Sequence, residues 1–334
     1  MSVAISHRQR LQACLSGAQV DRPPVALWRH FPVDDQDPVS LAAATINYQR
    51  AYDFDFVKVT PASSFCLKDW GVQDEWRGAA EGTREYTRTV VHSPEDWLRL
   101  QALPPDEGHL GRQLACLGHI IQALDHETPV IQTIFNPLSQ AKNLVGKASL
   151  QVHLRRHPHE LHAALKTITE TTIRFIEAAA RLGAAGIFYA VQHAQYSLLS
   201  EQEYREFGQA YDLQVLQSLQ APPASGMWLN VLHLHGEAVM FDLVSRYPVQ
   251  VLNWHDRDTP PSLAEGLQHF PGAVCGGLQR ERSLVLGTPD QVRAEAQDAI
   301  HSTGGGRFIL CTGCVVPVTA PHANLLAARR SVES

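Results

Sequence analysis

Eight short runs of apolar, β-branched and aromatic residues recur along the chain, spaced so that a helix fits between neighbours. They cover residues 25–28, 54–60, 130–135, 186–191, 228–234, 249–254, 273–278 and 308–311. Most are continuous rather than alternating in polarity, as in strands buried on both faces of a parallel sheet. Helical patterns fill the gaps. Over residues 159–182, Leu161, Leu165, Ile168, Thr172, Phe175, Ile176, Ala179 and Leu182 keep one face, and Gly183 follows as a stop. Ser200 with Glu203 has the form of a capping box. Thr288–Pro289 reads as a cap followed by a first helical residue. Eight strands alternating with helices predict an α/β fold, a (β/α)8 TIM barrel with N-terminal helical additions, as one domain spanning residues 1–334. A doubly wound open sheet is the competing architecture. It would be marked by a G-x-G-x-x-G or P-loop after an early strand, and neither is present.

Charge and cysteine content narrow the function. The net charge of −6 and the lack of any Lys/Arg run longer than two leave no footprint for nucleic acid or an anionic membrane. No apolar stretch approaches the length of a membrane span, and the first residues, "MSVAISHRQRLQACLSG", are too polar for a signal peptide. A cytoplasmic protein with no nucleic-acid or membrane partner is expected. Six cysteines do not make a disulfide framework in a chain of 334 residues. Cys14, Cys66, Cys116 and Cys275 read as free thiols. Cys311 and Cys314 form a lone C-x-x-C, without the second pair of a zinc ribbon.

A TIM barrel works at the C-terminal ends of its strands. Those ends carry Arg29 and His30, Lys58, Asn136, Gln192 and His193, His233 and His235, His255 and Asp256, Gln279 and Arg280, and Cys314. His30, Gln279 and Arg280 read as ordinary polar loop starts. His233 and His235 stand two apart on a strand, so they share a face and can converge on one ion. A second His-x-His, His157–Pro158–His159, has its proline where a helix starts and reads as solvated. With Cys314 on the same barrel mouth, two imidazoles and a thiolate suit zinc and leave a fourth position open for a substrate. Lys58 lies in the apolar stretch "FDFVKVT", where burying a lone charge is costly. It either pairs with Asp53, Asp55 or Asp69, or joins Arg29 in holding an anionic ligand. Asn136, Gln192, His193, His255 and Asp256 are candidates for contacting a small-molecule substrate. His255 or Asp256 is also a candidate for orienting a zinc-bound histidine. Glu237 is expected to begin a helix.

Four segments carry a family resemblance: "VDRPPVALWRHF", "VQVLNWHD", "GGLQRERSLVLGTPDQVRAEAQDAI" and "GRFILCTGCVVPVTAPHANLLAAR". In order and spacing they are similar to the uroporphyrinogen decarboxylase superfamily over most of the chain, most strongly in the C-terminal half. The resemblance points to one of two chemistries. True uroporphyrinogen decarboxylases use arginines of the first segment and an aspartate at an early strand end, with neither metal nor cofactor. Here Arg29 matches the first arginine, "HFPVDD" replaces the segment expected to hold the second, and Lys58 stands at or near the aspartate. The other branch holds zinc-dependent methyltransferases that use methylcobalamin and act on thiols, with ligands in "H-x-C-G-N" and a C-terminal "G-C-G-I-x-P". This chain has "HLHGE" and "GCVVP", so His233 and Cys314 match two ligands and His235 replaces the third.

The resemblance therefore implies a zinc-dependent methyltransferase with Cys314 and His235 in catalytic positions. Its donor would be a methylcorrinoid on a separate protein, because the chain lacks a D-x-H-x-x-G corrinoid-binding signature. The alternative is a cofactor-free decarboxylase in which Arg29 and Lys58 hold a carboxylate. A metallohydrolase of the amidohydrolase type fits less well, since its His-x-His lies on the first strand. A ligand-binding barrel without activity is the remaining reading.

Overall fold

The computed structural model describes residues 5–124, 126 and 128–333. Its strands are β1 (Val57–Val59), β2 (Gln73–Glu75), β3 (Glu85–Arg88), β4 (Val130–Phe135), β5 (Gly186–Val191), β6 (Val231–Leu234), β7 (Val251–Trp254), β8 (Ala273–Leu278) and β9 (Phe308–Thr312). Seven of them pair in parallel in the order β1-β4-β5-β6-β7-β8-β9. All of their residues are buried, which explains the continuous apolar runs.

The eighth position is held by residues 24–26. Val25 makes an isolated parallel bridge to Leu310 of β9. Leu310 donates its N–H to the Pro24 carbonyl at 2.8 Å, Ala26 donates to the Leu310 carbonyl at 3.0 Å, and Asp55 donates to the Val25 carbonyl at 2.8 Å. The ring of a (β/α)8 barrel is thereby closed. The run at 25–28 was expected as a strand, and it forms no regular ladder. Pro23 and Pro24 have no N–H to donate, so few ladder bonds are available there.

The N-terminal addition staples the opposite end of the barrel. From the helix His7–Ser16, Arg10 reaches the buried Asp55 carboxylate at 2.7 Å, and Arg22 joins it at 2.8 Å. Burial works to raise the Asp55 pKa. Hydrogen bonds from His7 and Arg22 overcome it and hold the carboxyl well below the usual range. The long helix Pro158–Arg181 buries the predicted stripe except Leu182, which lies exposed just past its end; a capping box forms at Ser200 as its spacing implies, and Thr288 caps the helix that Pro289 begins.

Two features were not expected. The β2–β3 hairpin is short and mostly exposed, so it carries no apolar signal, yet its connecting loop folds over the barrel mouth. There the Ala80 carbonyl accepts the Val318 N–H at 2.7 Å. Glu237 begins no helix; it lies exposed in a bend ahead of the helix Phe241–Val244. Among the described residues no helix is long and apolar enough to cross a membrane.

Candidate metal centre

The mouth of the barrel gathers four donors from three strand ends. His233 lies within β6 and His235 just beyond it, His255 follows β7, and Cys314 follows β9. One ligand atom from each lies within 4.8 Å of those of the other three. The Cys314 sulfur is 3.8 Å from His235 Nδ1. The ring of His255 lies 5.1 Å from that of His235 and 5.9 Å from that of His233, centroid to centroid. Bonds of ~2.0–2.3 Å in a tetrahedron separate donors by roughly 3.3–3.7 Å, so a contraction of about 1 Å in the widest pair would complete a zinc site.

The chemistry of the donors fits an ion. His255 Nε2 is buried and has no hydrogen-bond partner among the described residues. Leaving such a group unpaired costs on the order of 1–3 kcal/mol unless something binds it. Burial raises the Cys314 pKa, but the three neighbouring histidines, His233 foremost, overcome it and hold the thiol well below its usual value. His233 is pushed down by burial. His235 is pushed down by burial too, yet its hydrogen bond to Cys314 raises it overall. The group therefore favours a thiolate at Cys314, the form in which cysteine binds metals.

A close approach of backbone makes the cluster reachable. A Cβ on Gly313 would lie 2.6 Å from the His255 Cα and 2.6 Å from the Trp254 carbonyl oxygen. Only glycine lets the turn after β9 press against the end of β7 and deliver Cys314 to the histidines.

Two cavities meet at this point. An inner one of about 280 Å³ is walled by Trp28, Phe135 and Phe188 and reaches His233, His235 and Cys314. An open basin of about 630 Å³ lies on the other side, touching His235, His255 and Glu237. Glu81, from the loop between β2 and β3, borders both and pairs with Arg280 at 2.6 Å.

Lys58 lines the inner cavity and none of its expected partners reaches it. Asp55 is taken by Arg10 and Arg22, Asp53 by Arg329, and Asp69 accepts the backbone N–H groups of His109 and Leu110. Among the described residues no carboxylate pairs with Lys58 within 4.0 Å. Its ammonium donates to Thr60 Oγ1 at 3.2 Å and sits 4.5 Å from the centre of the Phe188 ring. Burial lowers its pKa to about 7. Lys142 borders the same cavity, and burial lowers it to about 8.

Other expected residues lie elsewhere. Gln192 lines the inner cavity, but the adjacent His193 is not among its lining residues; burial lowers the His193 pKa to about 3. Arg29 was expected to face the mouth. Its guanidinium instead lies over the Phe31 ring at 5.6 Å, beside a small pocket on the outer side of Trp28. Asn136 caps the helix Pro137–Val145 and donates to the buried Asp212 carboxylate at 2.9 Å, so it is a structural residue. Asp256 accepts the Gly277 N–H, and burial raises its pKa to about 7; it orients no histidine. His30, read as an ordinary loop residue, lines the inner cavity, and Arg280 holds Glu81 across the mouth. His157 stands between two helices and His159 in the first turn of the second, and neither joins a donor cluster among the described residues.

The residue that does support a cluster histidine is Asn253. Its Oδ1 lies 2.7 Å from His233 Nδ1, and its Nδ2 donates to the Cys275 and Thr312 carbonyls at 2.8 and 3.0 Å. Two residues before His255 on the same strand face, it was within reach of the alternation rule.

A sequence profile of the family described as uroporphyrinogen decarboxylase (URO-D) matches residues 6–334. A methylcobamide:CoM methyltransferase of Methanosarcina acetivorans is 23% identical over 237 residues, 71% of this chain and 67% of that protein. A uroporphyrinogen decarboxylase of Prochlorococcus marinus is 24% identical over 215 residues, 62% of this chain and 59% of that protein. A solved methyltransferase from Methanosarcina mazei superposes with a TM-score of 0.83 at 19% identity, covering 99% of this chain and 100% of its own.

Proposed function

The chain belongs to the uroporphyrinogen decarboxylase family, and from that premise we propose that it is a zinc-dependent methyltransferase moving a methyl group from a methylcorrinoid carried on a separate protein to a small anionic thiol. The observation that carries this reading is the convergence of His233, His235, His255 and Cys314 where two cavities meet. His233, His235 and Cys314 are the metal ligands, and His255 stands beside the position expected to be open. Zinc bound there supplies Lewis acidity that lowers the pKa of an acceptor thiol. The matching methylcobamide:CoM methyltransferase supports a corrinoid as donor.

The chain's own residues do the rest. Lys58 and Lys142 give the inner cavity positive charge, neither is paired with a carboxylate among the described residues, and they attract the acceptor's anionic tail. Gln192 adds a polar contact. Trp28 and Phe188 exclude water, which strengthens the charge interactions inside. In the transfer itself the thiol loses its proton, a sulfur–carbon bond forms, and the carbon–cobalt bond breaks with its electron pair left on the corrinoid.

Cys314→Ser tests the reading. Purified wild type should hold one zinc per chain by elemental analysis and methylate small anionic thiols with methylcobalamin. Cys314→Ser should lose both properties and keep its fold. Full zinc in the variant, or a wild type that cannot be loaded with metal, would reject the proposal. Release of carbon dioxide from a carboxylate substrate by the metal-free protein would put the decarboxylase in its place, with Lys58 holding the substrate.

A further inference from the structure

We propose that Asn253 is a positioning residue that locks His233 in the Nδ1–H tautomer and turns the bare Nε2 lone pair into the donor cluster before any ion arrives. The inference rests on the metal reading only for its consequence, not for its geometry.

Asn253 is fully buried near the C-terminal end of β7. One end of its amide faces two backbone carbonyls, of Cys275 in β8 and Thr312 in β9. The other end faces His233 Nδ1 at 2.7 Å. A carbonyl oxygen only accepts, so the end facing Cys275 and Thr312 is the NH2 group. The reversed amide would set an oxygen against two oxygens at hydrogen-bond distance. The group facing His233 is therefore Oδ1, which also only accepts. A contact of 2.7 Å between it and Nδ1 needs a proton on Nδ1. A neutral imidazole carries one N–H, so Nε2 is left as a bare acceptor.

The lock is backed by the barrel itself. Asn253 is gripped by the strands on its far side, while His233 lies directly across from it in the β6–β7 register. Ring orientation and proton placement at His233 are thus set by three neighbouring strands rather than by a flexible loop. Partners of this kind at metal-binding histidines typically alter affinity tenfold to a hundredfold, roughly, when removed.

Nitrogen NMR of zinc-free protein labelled at histidine, at pH 8, reads the tautomer directly. His233→Gln identifies the resonance. The expected result is a neutral Nδ1–H signature for His233, in contrast to the Nε2–H form that free neutral imidazoles favour. Asn253→Ala should release His233 to the Nε2–H form and weaken zinc binding, measured against a chelator, by roughly tenfold to a hundredfold. An Nε2–H or doubly protonated His233 in the wild type overturns the lock, and that measurement needs no variant to fold. An unchanged tautomer in Asn253→Ala overturns it too. A wild type with the Nδ1–H signature that takes up no zinc leaves the lock standing and rejects the metal reading instead.

Discussion

The chain holds the same tripeptide pattern twice, and only one copy becomes part of a donor cluster. His157 and His159 flank a proline at the junction of two surface helices, where successive side chains step around the axis and the second ring lies in solvent. His233 and His235 stand on a strand end, where residues two apart share a face. The difference is not in the spacing. Around the second pair, β7 adds Asn253 and His255, and the turn after β9 adds Cys314. Around the first, the nearest ring is His153, which is taken by the Trp97 N–H at 2.7 Å, and no thiol or further free imidazole joins the pair. A pair of ligands becomes a site when other strands complete its coordination and fix its protons.

The largest effect that could break this contrast comes from deleting each pair in turn. His233→Ala with His235→Ala should abolish stoichiometric zinc binding. His157→Ala with His159→Ala should leave zinc content unchanged and shift stability by no more than about 0.5 kcal/mol per exposed site. Zinc lost from the second variant as well would mean that the helical pair contributes. Elemental analysis with thermal melts decides between them.

A middle-sized effect sharpens the role of the surroundings. Gly313→Ala leaves every donor in place but puts a methyl group 2.6 Å from the His255 Cα. The turn must retreat and take Cys314 with it. Overpacking of this kind costs typically 1–3 kcal/mol. Zinc affinity should fall together with stability. Affinity at the wild-type level would show that Cys314 reaches the cluster without the close approach.

The smallest expected effect concerns Lys58, whose charge water cannot reach as it reaches the surface histidines. Its folded pKa of about 7 lies below that of an exposed lysine. Between those values the unfolded chain binds the extra proton, so stability rises with pH across that window. Below pH 7 the cost of the buried charge is fully present. Lys58→Met should therefore raise the melting temperature of metal-free protein at pH 6, with the advantage shrinking by pH 10. Acceptor KM should rise in the same variant. A loss of stability at pH 6 would point to a structural role.

Strand periodicity explains what could be read in advance. The central strands were legible because burial on both faces leaves uninterrupted apolar runs, and β4, β5 and β8 begin and end where those runs do. The run at 25–28 was not, because its prolines withdraw the donors that a ladder needs. At the site, parity separates the residues that face the cavity from those that do not. Thr133 and Phe135 line it, so Asn136 turns outward; Ala190 and Gln192 line it, so His193 does not; Trp28 and His30 line it, so Arg29 leaves. Asn253 and His255 face the cluster, so Trp254 and Asp256 point to the other side. The list of polar strand ends includes all four residues of the donor cluster, and a count of two along each strand divides it by face. Contacts between distant loops, such as Gly313 against His255, have no counterpart in local sequence.

The cluster contains a single sulfur. Cys311, the other half of the C-x-x-C, lies with Cys275 in the core, and both are buried there. An ion site built on two thiolates can be lost when its own ligands join as a disulfide. Here no such bond can close within the cluster, so the first oxidation products open to Cys314 are sulfenic acid or a mixed disulfide with a small thiol, both of which added thiol reduces. In the proposed site such damage would begin on one atom and be reversible at its first stage, a consequence of holding imidazole where a second thiolate would stand.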